Sequence, residues 1–531
     1  MIRWYFTSGI ILFGVNPQRN GGSSLFSGSK KYHLAVMNTL ESRLQRWFPE
    51  NSTRNRLMVV LAFVGLFFLT LTPVRSNDIW WHLETGRRLW STHHFLKQDP
   101  YSWTMRGASW INGEWLFQIG LYAVYVAGGW VCVILAKSFC ILTILACPWL
   151  TVRRSGASPW LATAAAIWVF YAARPGWTER ADLLSVMAFG FLLMSLAEAD
   201  RDAADSSRRW LVWPLVFVIW VNTHGGFALG LASLFLWAAG RRMDHHPLPP
   251  RFGWILAACI IATLLNPYGP DMHLFIGRVS WLAQRSPATE WTHPPWNKMW
   301  WMFWLTLALC GLELLASHGK RWRWAVILIL VATAFGTVRH RRYVPFFVLS
   351  AVPFLAASPV AGFTKRWNGL LTVFSLPVLF LWSVQGARGI EGGISSMITT
   401  RGAMDYIEQR HVAGPFYNDW ELGSYWIWRF KGEPGDFLDG RSGAVEGFTA
   451  LREAAMRAKL GGPRVWQSFL QRYGVRSALI CMPEPSAASL MPYYFPPEKW
   501  KLLYSDEQAL LFTRNYSRKR LGPLTQGLPR S

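Results

Sequence analysis

The chain has 531 residues, of which 52% are hydrophobic, 16% charged and 33 are tryptophan. Soluble domains carry about 25% charge, so this composition excludes an ordinary soluble fold, and the lack of short alternating segments excludes a β-barrel. The formal net charge of +24 lies in short loops between apolar runs and in the first 56 residues; it reads as topology-setting charge, and no nucleic-acid partner is expected.

Residues 1–56 read as a cytoplasmic N-terminal extension. The opening MIRWYFTSGIILFGV has a positive residue and a short apolar run, but no small-residue cleavage site follows between Asn16 and Lys31. No cleaved signal is expected. Residues 1–36 read either as an extension or as sequence upstream of a start at Met37.

Residues 57–394 read as a transmembrane domain, because apolar runs near the ~20 residues that cross a bilayer core recur there. The spans fall at 57–74, 130–150, 158–173, 181–198, 210–222, 225–240, 252–266, 299–316, 324–338, 344–358 and 369–386. The run 115–127 is too short to cross, ends at Gly128-Gly129, and reads as a helix on the outer leaflet. Lys/Arg counts place Arg153-Arg154, Arg208-Arg209, Arg241-Arg242, Lys320-Arg321-Arg323 and Lys365-Arg366 on the inner side. The outer side then receives 75–114, 174–180, 222–225, 267–298, 339–343 and everything after 386. The six cysteines show no metal-ligand spacing.

From about 395 the composition changes. GPFYNDWELGSYWIWRF, DFLDGRSG, VRSALICMP and ALLFTRN read as strands or strand ends, and 445–459 and 463–473 as helices. Residues 395–517 thus form a small α/β extracytoplasmic domain, with a tail at 518–531. Asn418-Asp419 and Asp439-Gly440-Arg441 read as turns with solvated charges.

The first outer loop, 75–114, is the densest in chemistry. It sets Asp78, His82, Glu84, Asp99 and Glu114 among Trp80, Trp81, Trp90, Trp103 and Trp110, with most of the indoles read as interfacial anchors. Asp78 and His82 lie four apart, hence on one helix face, where they can act as base and orienter or bind a divalent cation such as Mg²⁺ or Mn²⁺. Glu84 is a further candidate catalytic acid. Glu114, Asn222 and His224 collect at the same outer side, Asn222 and His224 at a break between two short spans where polar groups are costly unless they line a cavity. Arg339, Arg341 and Arg342 break the positive-inside pattern, and cations there suit a lipid phosphate. Asn266 and Arg174-Pro175 read as helix punctuation.

NDIWWHLETGRRL and DPYSWTMRGASWINGEWL resemble the first outer loop of the GT-C membrane glycosyltransferases, which include protein O-mannosyltransferases, lipid A aminoarabinose transferases and oligosaccharyltransferase catalytic subunits. The resemblance implies that Asp78, the acid shortly after the first span, is the catalytic or metal-binding carboxylate. It further implies transfer of a sugar from a polyprenyl-phosphate donor to a glycan, lipid or protein acceptor at the outer face of the cytoplasmic membrane. Two departures stand out: Asp78 is followed by Ile79 where mannosyltransferases carry Asp-Glu, and Asn418-Asp419-Trp420 is not the Trp-Trp-Asp acceptor signature. Two other classes compete: a transporter or flippase for a lipid-linked glycan, and a non-catalytic assembly subunit. The spans carry few of the charges that a transporter needs near mid-membrane.

Overall fold

The computed structural model describes residues 53–201, 210–283, 291–297, 300–317, 323–356, 399–441, 443–482 and 490–515. The chain divides into Met1–Met58 and Val59–Ser531. Of the first unit only residues 53–58 are described, as the start of the first helix; every side-chain contact below belongs to the second. The expected span at 369–386, the tail at 518–531 and most of the N-terminal extension lie outside the described residues.

The apolar runs are helices: α1 (Thr53–Thr70), α2 (Ile79–Thr92), α3 (Trp115–Arg154), α4 (Pro159–Ala172), α5 (Asp182–Arg201), α6 (Trp213–Thr223), α7 (Phe227–Met243), α8 (Phe252–Ala262), α9 (Asp271–Ala283), α10 (Trp301–Ala316), α11 (Trp324–Arg339) and α12 (Val344–Ala356). Among the described residues, α3 and α5 alone are long and apolar enough to cross a membrane by length and composition. The interfacial run and the second expected span join as α3, 40 residues long, with the break where the glycines predicted it. Gly128 (φ −173°, ψ 32°) and Gly129 (φ 59°, ψ −146°) leave helical geometry, and the latter lies where glycine alone is comfortable. Ser158 accepts a hydrogen bond from the Leu161 N–H at 3.2 Å, and Pro159 opens α4, the usual chemistry of a helix start. α9 lies inside the expected outer loop 267–298, so that loop is partly helical.

The C-terminal domain holds a four-stranded sheet in the order β1 (Phe416–Asn418), β2 (Ser477–Cys481), β4 (Ala509–Arg514), β3 (Trp500–Ser505). β1 and β2 are parallel and the other pairs antiparallel. Helices α13 (Arg401–Gln409), α14 (Trp420–Phe430), α15 (Phe448–Leu460) and α16 (Pro463–Arg472) pack around it. Two strand expectations are corrected. Residues 420–430 are helical because Leu422, Trp426 and Ile427 recur at helical spacing and are buried, while the described part of DFLDGRSG is a loop with a single bridge, Ser102 to Asp436.

The first loop and this domain share one core. Trp81, Tyr101 and Trp110 cluster with Tyr417, Phe437, Phe448 and Trp466. Trp80 packs on Trp130, Tyr425 and Trp428. Trp80, Trp81 and Trp110 are therefore buried packing residues, which corrects their reading as interfacial anchors; Trp90 is exposed. The charges of the C-terminal turns are not solvated either. Arg441 is fully buried, 2.8 Å from Asp99 of the first loop and 2.6 Å from Asp439, with Tyr101 and Trp110 stacked on its guanidinium. Asn418 accepts from the Phe437 N–H and donates to the Leu438 carbonyl, and Asp419 accepts from Tyr417 and the Cys481 N–H while pairing with Lys459. Buried polar groups persist only when so partnered, so the composition of these turns misled: their charges fasten two segments together.

Candidate active site

Asp78 stands at the N-cap of α2, one turn before His82. Its carboxylate, 20% exposed, receives Arg180 Nη2 at 3.2 Å and the Trp81 Nε1–H at 3.4 Å. Arg180 comes from the short segment leading into α5, and so does Glu179. Glu179 is buried and accepts from the Arg75 N–H at 2.5 Å and the Ser76 N–H at 2.7 Å. Lys137 on α3 closes this junction, 3.2 Å from Glu179 and 2.8 Å from the Thr72 carbonyl. One dipeptide, Glu179-Arg180, therefore fixes both the backbone that leads to Asp78 and the Asp78 carboxylate itself.

Glu114 caps α3 beside this pair. His82 Nε2 approaches its Oε2 at 3.7 Å and His224 Nε2 its Oε1 at 3.9 Å. The His224 ring is oriented by its other nitrogen: Nδ1 accepts from the Gly226 N–H at 3.1 Å and lies 2.8 Å from Ser185 Oγ, itself the acceptor of the Trp220 Nε1–H. Nε2, on the far side of the ring, is thereby turned toward Glu114 and Arg342. A Cβ at Gly226 would stand 2.4 Å from Ser185 Oγ, so glycine is required for this turn to close. Arg342 Nη2 lies 3.2 Å from His224 Nε2, its Nε 3.7 Å from Asp182, and its guanidinium over Trp291.

The electrostatics follow from burial and sign. Burial raises Glu114 to about 7; Arg342 and Arg180 oppose the rise, and Asp78 and Asp182 add to it. Burial, then the Arg180 charge, holds His82 well below its usual value, so that imidazole is neutral. A carboxyl that titrates near neutrality, two oriented imidazoles and two guanidiniums can move a proton and hold an anion.

The structure thus brings together Asp78, His82, Glu114, His224 and Arg342 from segments far apart in sequence. Other expected residues lie elsewhere. Glu84 is buried against Arg87, at 2.6 and 2.8 Å. Asn222 accepts from Trp115 Nε1 and donates to the Val218 and Leu265 carbonyls, each at 2.8 Å, so it braces the turn. Arg339 lies over Phe335, and Arg341 lies over Trp300 with its N–H on the Thr292 carbonyl. Sequence reasoning missed Lys137, Glu179, Arg180, Asp182 and Ser185. The charge run Glu179-Arg180-Ala181-Asp182 at a helix start was the available signal. Among the described residues no three His, Cys, Asp or Glu side chains converge as a metal site. Asp78 meets the Arg180 guanidinium and His82 faces Glu114.

No family model and no curated protein sequence matches the chain. Two solved structures of ArnT from Cupriavidus metallidurans are similar to it. The apo form has 15% identity over 86% of this chain and 97% of that one, TM-score 0.47. The form bound to undecaprenyl phosphate has 14% identity over 88% and 99%, TM-score 0.49. The oligosaccharyltransferase AglB from Archaeoglobus fulgidus, solved with an inhibitory peptide and a dolichol-phosphate, has 11% identity over 90% of this chain and 75% of that one, TM-score 0.52. The chain has the GT-C membrane fold.

Proposed function

We propose that this GT-C chain is a membrane glycosyltransferase that moves a sugar from a polyprenyl-phosphate donor to an acceptor hydroxyl at the outer face of the cytoplasmic membrane, with the C-terminal domain on that side. The observation that carries the reading is the meeting of Asp78, Arg180, Glu114, His224 and Arg342 in one cluster. The acceptor oxygen bonds to the anomeric carbon, the bond from that carbon to the phosphate oxygen breaks, and the lipid phosphate leaves with the electron pair. Arg342 and Arg180 offset the charge that develops on it, and Asp78 takes the acceptor proton.

One observation favours a second assignment on the same reaction. A general base works best with a pKa near the operating pH, and Glu114 lies at about 7. In that version Glu114 takes the proton and Asp78 orients Arg180. No step here runs through a metal; a divalent cation at Asp78 and His82 is what the EDTA arm of the test below examines.

The test incubates purified full-length protein with radiolabelled polyprenyl-phosphate sugars and membrane acceptors, with and without EDTA. Transfer that is lost in Asp78→Asn supports an enzyme. Intact folding with no transfer from any donor favours the scaffold or transporter classes. A reporter fused after Asn515 that is active only in the cytoplasm would overturn the side assignment.

A further inference from the structure

Gly440 belongs to the C-terminal domain, yet it lies against the first-loop carboxylate. A Cβ built on it would stand 2.6 Å from Asp78 Oδ1, 3.4 Å from Trp81 Nε1 and 3.3 Å from Ser424 Oγ. The first two are the atoms of the Asp78–Trp81 hydrogen bond. No side chain fits at 440 unless Asp78 gives way.

The turn is held from two sides. Arg441 bridges Asp99 and Asp439 at 2.8 and 2.6 Å, wholly out of solvent, and accepts Tyr101, Trp110 and Phe448 around its guanidinium. On the other side α14 comes flush: a Cβ at Gly423 would stand 2.2 Å from the Leu438 carbonyl oxygen and 2.7 Å from Asp439 Cα. A fully desolvated bidentate pair tolerates little displacement, so Arg441 fixes Gly440 in place.

We propose that Asp439-Gly440-Arg441 is a positioning element of the Asp78 site: the buried Arg441 bridge seats Gly440 against the Asp78 carboxylate, and the bare backbone at 440 keeps that carboxylate on Arg180. The C-terminal domain is on this view a wall of the reaction site. The inference rests on the reading of Asp78 as a reacting or orienting carboxylate.

The experiment uses the full chain in detergent or nanodiscs and measures two things: modification of Asp78 by a water-soluble carbodiimide with an amine, read by peptide mass spectrometry, and sugar transfer. Gly440→Ala is expected to raise Asp78 modification several-fold and to lower kcat on the order of 10²-fold with a smaller change in KM, as a misplacement of about 1 Å does. Arg441→Lys, which keeps the charge but loses the fork, is expected to shift both in the same direction by less, and serves alone if Gly440→Ala does not fold. Modification and kcat as in the unaltered protein overturn the proposal. Altered modification with no transfer by the unaltered protein from any donor sustains the positioning role and sinks the glycosyltransferase reading.

Discussion

Arg180 Nη2 lies 3.2 Å from Asp78 Oδ2, so the residues before α5 grip the acid that opens α2. Replacing Asp78 by Asn keeps the shape and removes the charge. Transfer should fall on the order of 10²–10⁴-fold if Asp78 is the base, with the unfolding temperature little changed. Arg180→Met should lower transfer as well, and the loss in the double variant should be smaller than the product of the two single losses, since the residues share one interaction. Initial-rate assays on the three variants decide this; strict additivity would separate their roles.

Glu114 predicts a pH profile. Its folded value is about 7 against an ordinary 4.5, raised chiefly by burial among His82, His224, Arg342, Arg180, Asp78 and Asp182. A raised carboxyl favours the protonated folded state, so its stabilising contribution is complete below about 4.5 and is lost as pH rises through about 7. As a base it works only when ionised, so transfer should climb across the same window. Glu114→Gln should remove that limb. A limb that persists in Glu114→Gln and vanishes in Asp78→Asn would assign the proton to Asp78.

Asp436 makes a contrast with its neighbours. It is buried beside Asp439, Arg441 and Asp99, and burial, then the Asp439 charge, pushes it well above the usual carboxylate range. A carboxyl raised in the fold favours the protonated native state, so its contribution to stability is lost as pH rises through that elevated value. Asp436→Asn should remove the fall of the thermal midpoint that accompanies this titration. Asp439→Asn or Asp99→Asn takes a partner from a buried guanidinium and should cost about 3–5 kcal/mol. Thermal unfolding of the detergent-solubilised variants from neutral to alkaline pH separates the two patterns.

Lys137 and Glu179 pair out of solvent at 3.2 Å while holding Thr72, Arg75 and Ser76. Lys137→Met alone leaves a buried carboxylate and should destabilise strongly; Lys137→Met with Glu179→Gln should recover much of the midpoint, because no uncompensated charge remains. Transfer should stay low in the double variant, since the segment that leads to Asp78 has lost its clamp. Recovery of both together would reduce the pair to a purely structural role.

Much of the membrane domain was legible because the bilayer writes a long, one-dimensional signal. Apolar runs marked most helices of residues 53–356 to within a few residues, though not α2 and α9, and Gly128-Gly129 announced the break in α3. Asp78, His82, Glu114, His224 and Arg342 could be chosen because polar residues at span ends are costly without a reason. Arg339 and Arg341 had the same signal and different fates, since neighbouring residues on a tight turn point in different directions.

By itself, then, the sequence pointed to a many-helix chain of membrane type, the loop in which to look for its chemistry and the acid to test first, all through composition and local spacing. Tertiary structure alone decided that Glu179-Arg180 sets Asp78, that two imidazoles face Glu114, and that the Asp439-Gly440-Arg441 turn is buried against the first loop. Those are pairings between groups far apart in the chain, and an ion pair or a close backbone approach leaves no periodicity for a linear reading to find.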